Sequence, residues 1–259
     1  MVEWIGLGAA EVVVLSANCR DMKLLLTSLL MGIFITGHAQ TVIKPGDKII
    51  RQDLIRSSHD FYKAFGTDTS GNIKYEWVND QVISIDSATG RITFARSRQV
   101  PVGSFSADTS ITDNFFRPIS MHEVHVQRNV SYIMTFDATQ ASVQTFRNGV
   151  ASVKTYPMNS GYFEDNMIEY IFGYLDLKKG IVYTLDNFNK DTPSPSNPYT
   201  IEYAFDDIWV LNAGGKLNCR VIHFIHGEQK GYIWIDKDSR RMIKEVGNGK
   251  YGMFSITRI

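Results

Sequence analysis

The residues of this chain best suited to chemistry are two histidine pairs, His122-Glu123-Val124-His125 and His223-Phe224-Ile225-His226. Zinc peptidases set two histidines at i and i+4 on one helix face, with a glutamate between them as general base. Here the spacing is three, and the flanking residues alternate as strands do. Residues three apart on a strand point to opposite faces, so neither pair chelates an ion alone. Glu123 and His125 share a face, and with His223 or His226 from another strand they would make a metal-assisted hydrolase. The carboxylates Asp206-Asp207 and Asp236/Asp238 could act as a glycosidase pair. Their sequence context reads instead as a turn before Ile208 and a hairpin tip. No Gly-x-Ser-x-Gly elbow, phosphate loop or dinucleotide fingerprint is present, and no cofactor is indicated. Cys219 reads as a small buried hydrophobe rather than a nucleophile.

A second set is aromatic and apolar. Tyr232 and Trp234 share one face of a strand, and Ile233 and Ile235 share the other. Two apolar faces imply cover on both sides, one side by a core helix and the other by a further layer or a ligand groove. Tyr232, Trp234, Trp209, Phe172 and Leu175 are therefore the candidate residues for binding an apolar ligand. Plain core packing is the competing reading of the same five.

The elements that must position these residues are mostly strands. Phe163, Met167, Tyr170, Ile171, Tyr174 and Leu175 recur at helical spacing and predict one amphipathic helix over 163–176, ended by Gly180. Asn148-Gly149 between two alternating runs predicts a tight hairpin, since a type I′ turn needs φ > 0 at both central residues. After the helix the chain reads as successive strands with short connections, an antiparallel meander. Before it, Ile50, Leu54, Ser58, Phe61 and Phe65 suggest a helix, Ile73–Val78 and Val82–Ile85 two short strands, and Pro101–Asp113 a linker or long loop. The expected fold is mainly β, a strongly curved antiparallel sheet or incomplete barrel with one packed helix. Residues 40–115 form an N-terminal region, either separate or part of the same sheet, and 116–259 the main domain.

The address is written at the other end. Met22-Lys23, the uncharged run Leu24–Ile35 and the small residues at Gly37 and Ala39 follow the order of a secretory signal. The run is shorter than the ~20 apolar residues of a membrane-spanning helix. Export, cleavage near Gln40 and a periplasmic or envelope location follow as expectations, with no membrane span left after processing. Replacing Ala39 by Leu should slow cleavage, which intact mass of protein from the envelope would reveal as retained signal. With 27 basic and 27 acidic residues the chain is neutral, which gives no electrostatic reason to expect a nucleic acid partner. Cys219 alone remains after processing, so the exported domain relies on its core rather than on a disulfide.

The stretch from Gly231-Tyr232-Ile233-Trp234-Ile235-Asp236 through Met242-Ile243-Lys244 resembles a strand–turn–strand unit of the LolA/LolB-like envelope proteins, and within them the DUF3108-type exported domains. Lys216–Val221, Tyr156-Pro157, the helix at 163–176 and Leu177-Lys178-Lys179-Gly180 fit the same order, over roughly 120–259. The resemblance implies a bent antiparallel sheet with helices over its open side. Better-known relatives carry lipid-modified cargo in that groove, although a fold does not transfer its cargo. The leading functional expectation is a non-enzymatic envelope protein that binds an apolar ligand such as a lipid. The alternatives are a structural or interaction module with an envelope protein partner, and the metal-assisted hydrolase.

Overall fold

The computed structural model describes residues 40–100, 103–158, 161–190, 198–211, 214–249 and 252–259; the expected export signal lies outside them. Period-two alternation dominates from the start. In β2 (Ser58–Thr67) Asp60, Tyr62 and Ala64 are buried while Phe61 and Phe65 are exposed. The helical spacing suggested for residues 50–65 is thus incidental. Its only helical part is a single 3-10 turn at Gln52–Leu54. β3 (Ile73–Ile85) joins the two short strands expected there. β4 (Ile92–Val100) and β5 (Ser104–Thr112) follow, and β5 replaces the linker expected at 101–113. That segment is polar because its inward face meets charged neighbours, not because it lacks structure.

The meander continues through β6 (Pro118–His125), β7 (Val130–Phe136), β8 (Gln140–Arg147) and β9 (Val150–Pro157). Asn148 (φ 50°) and Gly149 (φ 81°) make the expected hairpin between the last two. β10 (Phe163–Glu164) leads into the helical segment, and β11 (Val182–Leu185) and β12 (Asn187–Phe188) follow it. β13 (Tyr199–Val210), β14 (Lys216–His226), β15 (Gln229–Asp236), β16 (Met242–Gly249) and β17 (Gly252–Arg258) complete the chain. Asp206 and Asp207 do not form a turn. They lie within β13, beside a bulge at Tyr203/Phe205 that lets one long strand read as two.

Fifteen strands form one sheet in the order β1-β11-β13-β14-β15-β16-β17-β2-β3-β4-β5-β6-β7-β8-β9, where β1 is Gln40–Ile43. All neighbours are antiparallel except β1 and β11. The sheet does not close, since β1 and β9 stand at opposite ends of the order.

The helical segment is shorter than expected. It is a 3-10 turn at Asp165–Met167, then α1 (Ile168–Ile171), then a 3-10 turn at Phe172–Tyr174. One side of it is partly exposed at Asn166 and Glu169, and most of the rest is buried. Met167, Ile168, Ile171, Phe172 and Leu175 are fully buried among Ile43, Tyr62, Phe94, Tyr183, Ile222, Ile233 and Met242. These come from strands on both wings of the sheet, so the sheet wraps around the segment as a plug. The orphan carbonyls of a helix end need partners. Here Arg51 N–H donates to the Tyr174 carbonyl at 2.8 Å and Arg220 to the Leu175 carbonyl at 2.6 Å. Gly173 sits against the Arg240 backbone so closely that a Cβ would fall 1.9 Å from its carbonyl oxygen. A second, smaller core of Met121, Met134, Ala141, Val143, Tyr162 and Phe188 lies under β6–β8.

Candidate functional site

Strand register sorts the concave face into rows, because residues paired across strands and two apart along them share a face. One row is apolar apart from Ser110: Ile83, Phe94, Ser110, Met121, Met134, Val143. The next is polar: Asp60, Gln81, Arg96, Asp108, Glu123. Beyond it run Tyr62, Asn79, Arg98, Ser106 and His125. A seam of charge therefore crosses the inside of the sheet, where an unpaired charge is costly.

Arg96 is the hub of that seam. Its guanidinium meets Asp108 at 3.0 Å, Glu169 at 3.3 Å and Asn166 at 3.3 Å, the last two on the plug. Burial opposes its charge, but the two carboxylates more than offset this and hold its pKa above the usual arginine value. Beside it, Ser110 donates to Glu164 Oε2 at 2.5 Å and Asn166 N–H to Oε1 at 3.0 Å. Burial raises the Glu164 carboxyl to about 8, against the pull of those two donors. A carboxyl whose folded pKa is raised stabilises the fold fully below its unfolded value near 4.5, and that contribution is lost as pH climbs to about 8. Urea unfolding should show stability declining by a few kcal/mol across that interval, and Glu164→Gln should flatten the slope. An unchanged slope in the variant would remove Glu164 from this role.

At the mouth of the concave face, next to the seam, lies a pocket of about 250 Å³ lined by Tyr75, Trp77, Arg98, Phe105, His125 and Arg128, with Ser104, Ser106 and Gln127. The Arg98 guanidinium stands 5.5 Å from the Trp77 ring centroid. Trp77 Nε1 and Arg98 Nε are buried donors with no partner. Burial, reinforced by the nearby Arg96 charge, lowers the Arg98 pKa. A buried unpaired donor costs about 1–3 kcal/mol. Both residues line the pocket, so their open donor capacity lies beside it. The chemistry on offer is recognition, by cations, N–H donors and aromatic rings together.

The five residues singled out from sequence do not converge here or anywhere else. Phe172 and Leu175 are fully buried in the core. Tyr232, Trp234 and Trp209 lie on the outer face, where Lys244 Nζ sits 5.0 Å from the Trp209 ring and 5.5 Å from the Trp234 ring. Trp234 Nε1 donates to Asp207 at 2.8 Å. Tyr232 is 41% exposed, so the expected cover on that side of β15 is absent among the described residues. The outer face is apolar because Val221 and Cys219 are buried beneath these rings. Burial raises the Cys219 thiol to about 11, in keeping with a packing role.

The metal trio is not assembled. His125 bonds Glu123 at 2.5 Å on the concave side of β6. His223 lies between the core residues Ile222 and Phe224, so it faces outward, where it bonds Glu202 at 2.9 Å. His226 stacks on Tyr199 at 3.9 Å, on a strand far from β6 in the sheet order. Among the described residues no three His, Cys, Asp or Glu side chains are placed to hold a metal.

Beneath the plug the described residues are closely packed. The cavity there, between Asp60, Tyr62, Ile83, Tyr170 and Met242, measures about 30 Å³, roughly one water. Sequence reasoning missed Trp77 and Arg98. The signal was the alternation Tyr75, Trp77, Asn79, Gln81 along β3, which puts wide and polar side chains on the inward face.

Comparison with known proteins agrees with this architecture. A solved structure of a β-barrel-like protein from Brucella abortus, of the domain of unknown function DUF1849, is similar at a TM-score of 0.53 and 8% identity. The match covers 78% of this chain and 95% of the other, a likeness of fold alone. No curated protein matches the chain. The family model described as a protein of unknown function (DUF3108) matches residues 61–253, from within β2 into β17 and so well ahead of residue 120, where the sequence resemblance begins. Spanning most of the chain, that match makes this protein a member of the DUF3108 family.

Proposed function

We propose that this chain is a non-enzymatic, exported binding protein that takes an amphiphile with an anionic head at the mouth of its curved sheet. The observation that carries the reading is the pair of unpartnered buried donors, Trp77 Nε1 and Arg98 Nε, on residues lining the same 250 Å³ pocket. Tyr75 supplies apolar surface for the body of the ligand, and Arg128 adds a second cation. The resemblance to LolA/LolB-like envelope carriers and the signal at 22–39 support the compartment and the ligand class. Because the plug fills much of the sheet interior, this reading puts the ligand at the rim.

Calorimetric titration with laurate and with dodecanol tests this. Laurate should bind and dodecanol should bind much more weakly. Arg98→Ala should weaken laurate binding about 10- to 100-fold, the worth of a charge-assisted hydrogen bond of about 1.5–3 kcal/mol. Equal affinity for acid and alcohol, or an unchanged Arg98→Ala, would refute the anion-directed reading.

The second reading, an interaction module of the cell envelope, has its own support. Phe205, Trp209, Tyr232 and Trp234 gather on the outer face of β13 and β15, with Phe205 and Tyr232 more than 40% exposed.

A further inference from the structure

The last strand of the sheet is an open edge. β9 pairs with β8 and with no other strand among the described residues, and all but one of its eight residues are exposed. Val150 is 69% exposed and Val153 61%. Edges of this length are templates for strand pairing unless something blocks them.

Which backbone groups are free follows from the hairpin. In a two-residue I′ turn the flanking residues, here Arg147 and Val150, exchange both hydrogen bonds. By alternation Ser152, Lys154 and Tyr156 also bond to β8. The N–H and C=O groups of Ala151, Val153 and Thr155 therefore point to the open side. Val150, Ser152, Lys154 and Tyr156 instead send their side chains to the concave face. With Tyr132, Val143 and Arg147 they line a groove of about 510 Å³ along the edge.

The charge of that groove selects the occupant. Arg147 and Lys154 have no acidic partner among the described residues, whereas Lys190 at the far wall is paired with Glu123 at 2.9 Å. A second copy of this chain adding its own β9 in antiparallel register about Val153 would bring a second Lys154 onto the same face as the first. Like charges so placed repel. An extended segment with carboxylates at alternate positions meets Arg147 and Lys154 instead.

We infer that β9 accepts an acidic, extended segment of a partner protein by strand addition, with backbone bonds to Ala151, Val153 and Thr155 and carboxylates toward Arg147 and Lys154. The partner's intervening residues would pack beside Val153 on the convex side. This mode takes affinity from the main chain and specificity from alternate side chains. It is independent of the ligand at the sheet mouth.

The probes are two synthetic peptides of about eight residues, the length of β9, one alternating valine with glutamate and one valine with lysine. Fluorescence anisotropy should show binding of the acidic peptide alone, and amide hydrogen exchange should slow at Ala151, Val153 and Thr155. Val153→Pro removes an N–H that faces the open side, where proline is tolerated. It should leave the thermal midpoint near that of the parent and weaken the acidic peptide about tenfold or more. Lys154→Glu should reverse the preference toward the basic peptide, which a folding defect would not do. The inference is overturned by equal binding of the two peptides, by protection outside β9, or by full affinity in Val153→Pro. A concentration-dependent dimer abolished by Val153→Pro would equally overturn it, by assigning the edge to a second copy.

Discussion

Phe172→Ala is expected to destabilise the fold by about 3–5 kcal/mol, the range for removing a fully buried aromatic ring. Phe172 has no exposed surface and sits at the end of α1 among core residues from both wings of the sheet, with Tyr199 5.9 Å away edge to face. The plug is only ten residues from Asp165 to Tyr174, so it cannot rebuild its packing from elsewhere. Urea unfolding of the parent and the variant measures the difference. A loss below about 1 kcal/mol would mean the segment lies loosely over a cavity, and would return the ligand to the interior.

Arg96→Ala should cost a similar amount, about 3–5 kcal/mol, for a different reason. Arg96 holds Asp108 and Glu169 from two sides, and Asp108 is only 13% exposed. Removing the guanidinium strands a buried carboxylate whose pKa burial already raises. Replacing both partners, as Arg96→Met with Asp108→Asn, should recover most of the loss, because no charge is then left alone; Glu169 is partly solvated. If the double variant is as unstable as the single, the seam acts through packing rather than charge. The seam also ties the plug to the sheet through Asn166 and Glu169. A defect there should therefore loosen both.

Much of the fold was legible in the sequence, and its failures have identifiable causes. Asn148-Gly149 fixed a hairpin because its φ requirements are local. The strands from β13 to β17 were legible because short turns separate clear alternation. The helix was overextended because apolar residues keep a helical spacing through Leu175, where the backbone is already extended. β5 was lost to a linker because Ser104, Ser106, Asp108 and Ser110 face inward onto Arg96, Arg98 and Glu164, so the usual polar-out pattern is inverted. The same inversion hid the site. Trp77 and Arg98 carry no motif, and their meaning depends on a register between β3 and β4 that no local signal sets. Tyr232 and Trp234 stood out because alternation along one strand is local; that they lie on the outer face over Val221, with Tyr232 lining a surface pocket of about 360 Å³, depends on the sheet register.

The tryptophan indole N–H resonances test the central claim most directly. The chain from residue 40 on has three tryptophans, Trp77, Trp209 and Trp234, of which Trp77 alone lines the mouth pocket. On titration with laurate the Trp77 signal should move downfield and saturate, as its unpartnered donor gains an acceptor, while Trp209 and Trp234 stay in place. Movement of Trp209 and Trp234 with Trp77 unmoved would place the ligand on the outer face and contradict the account.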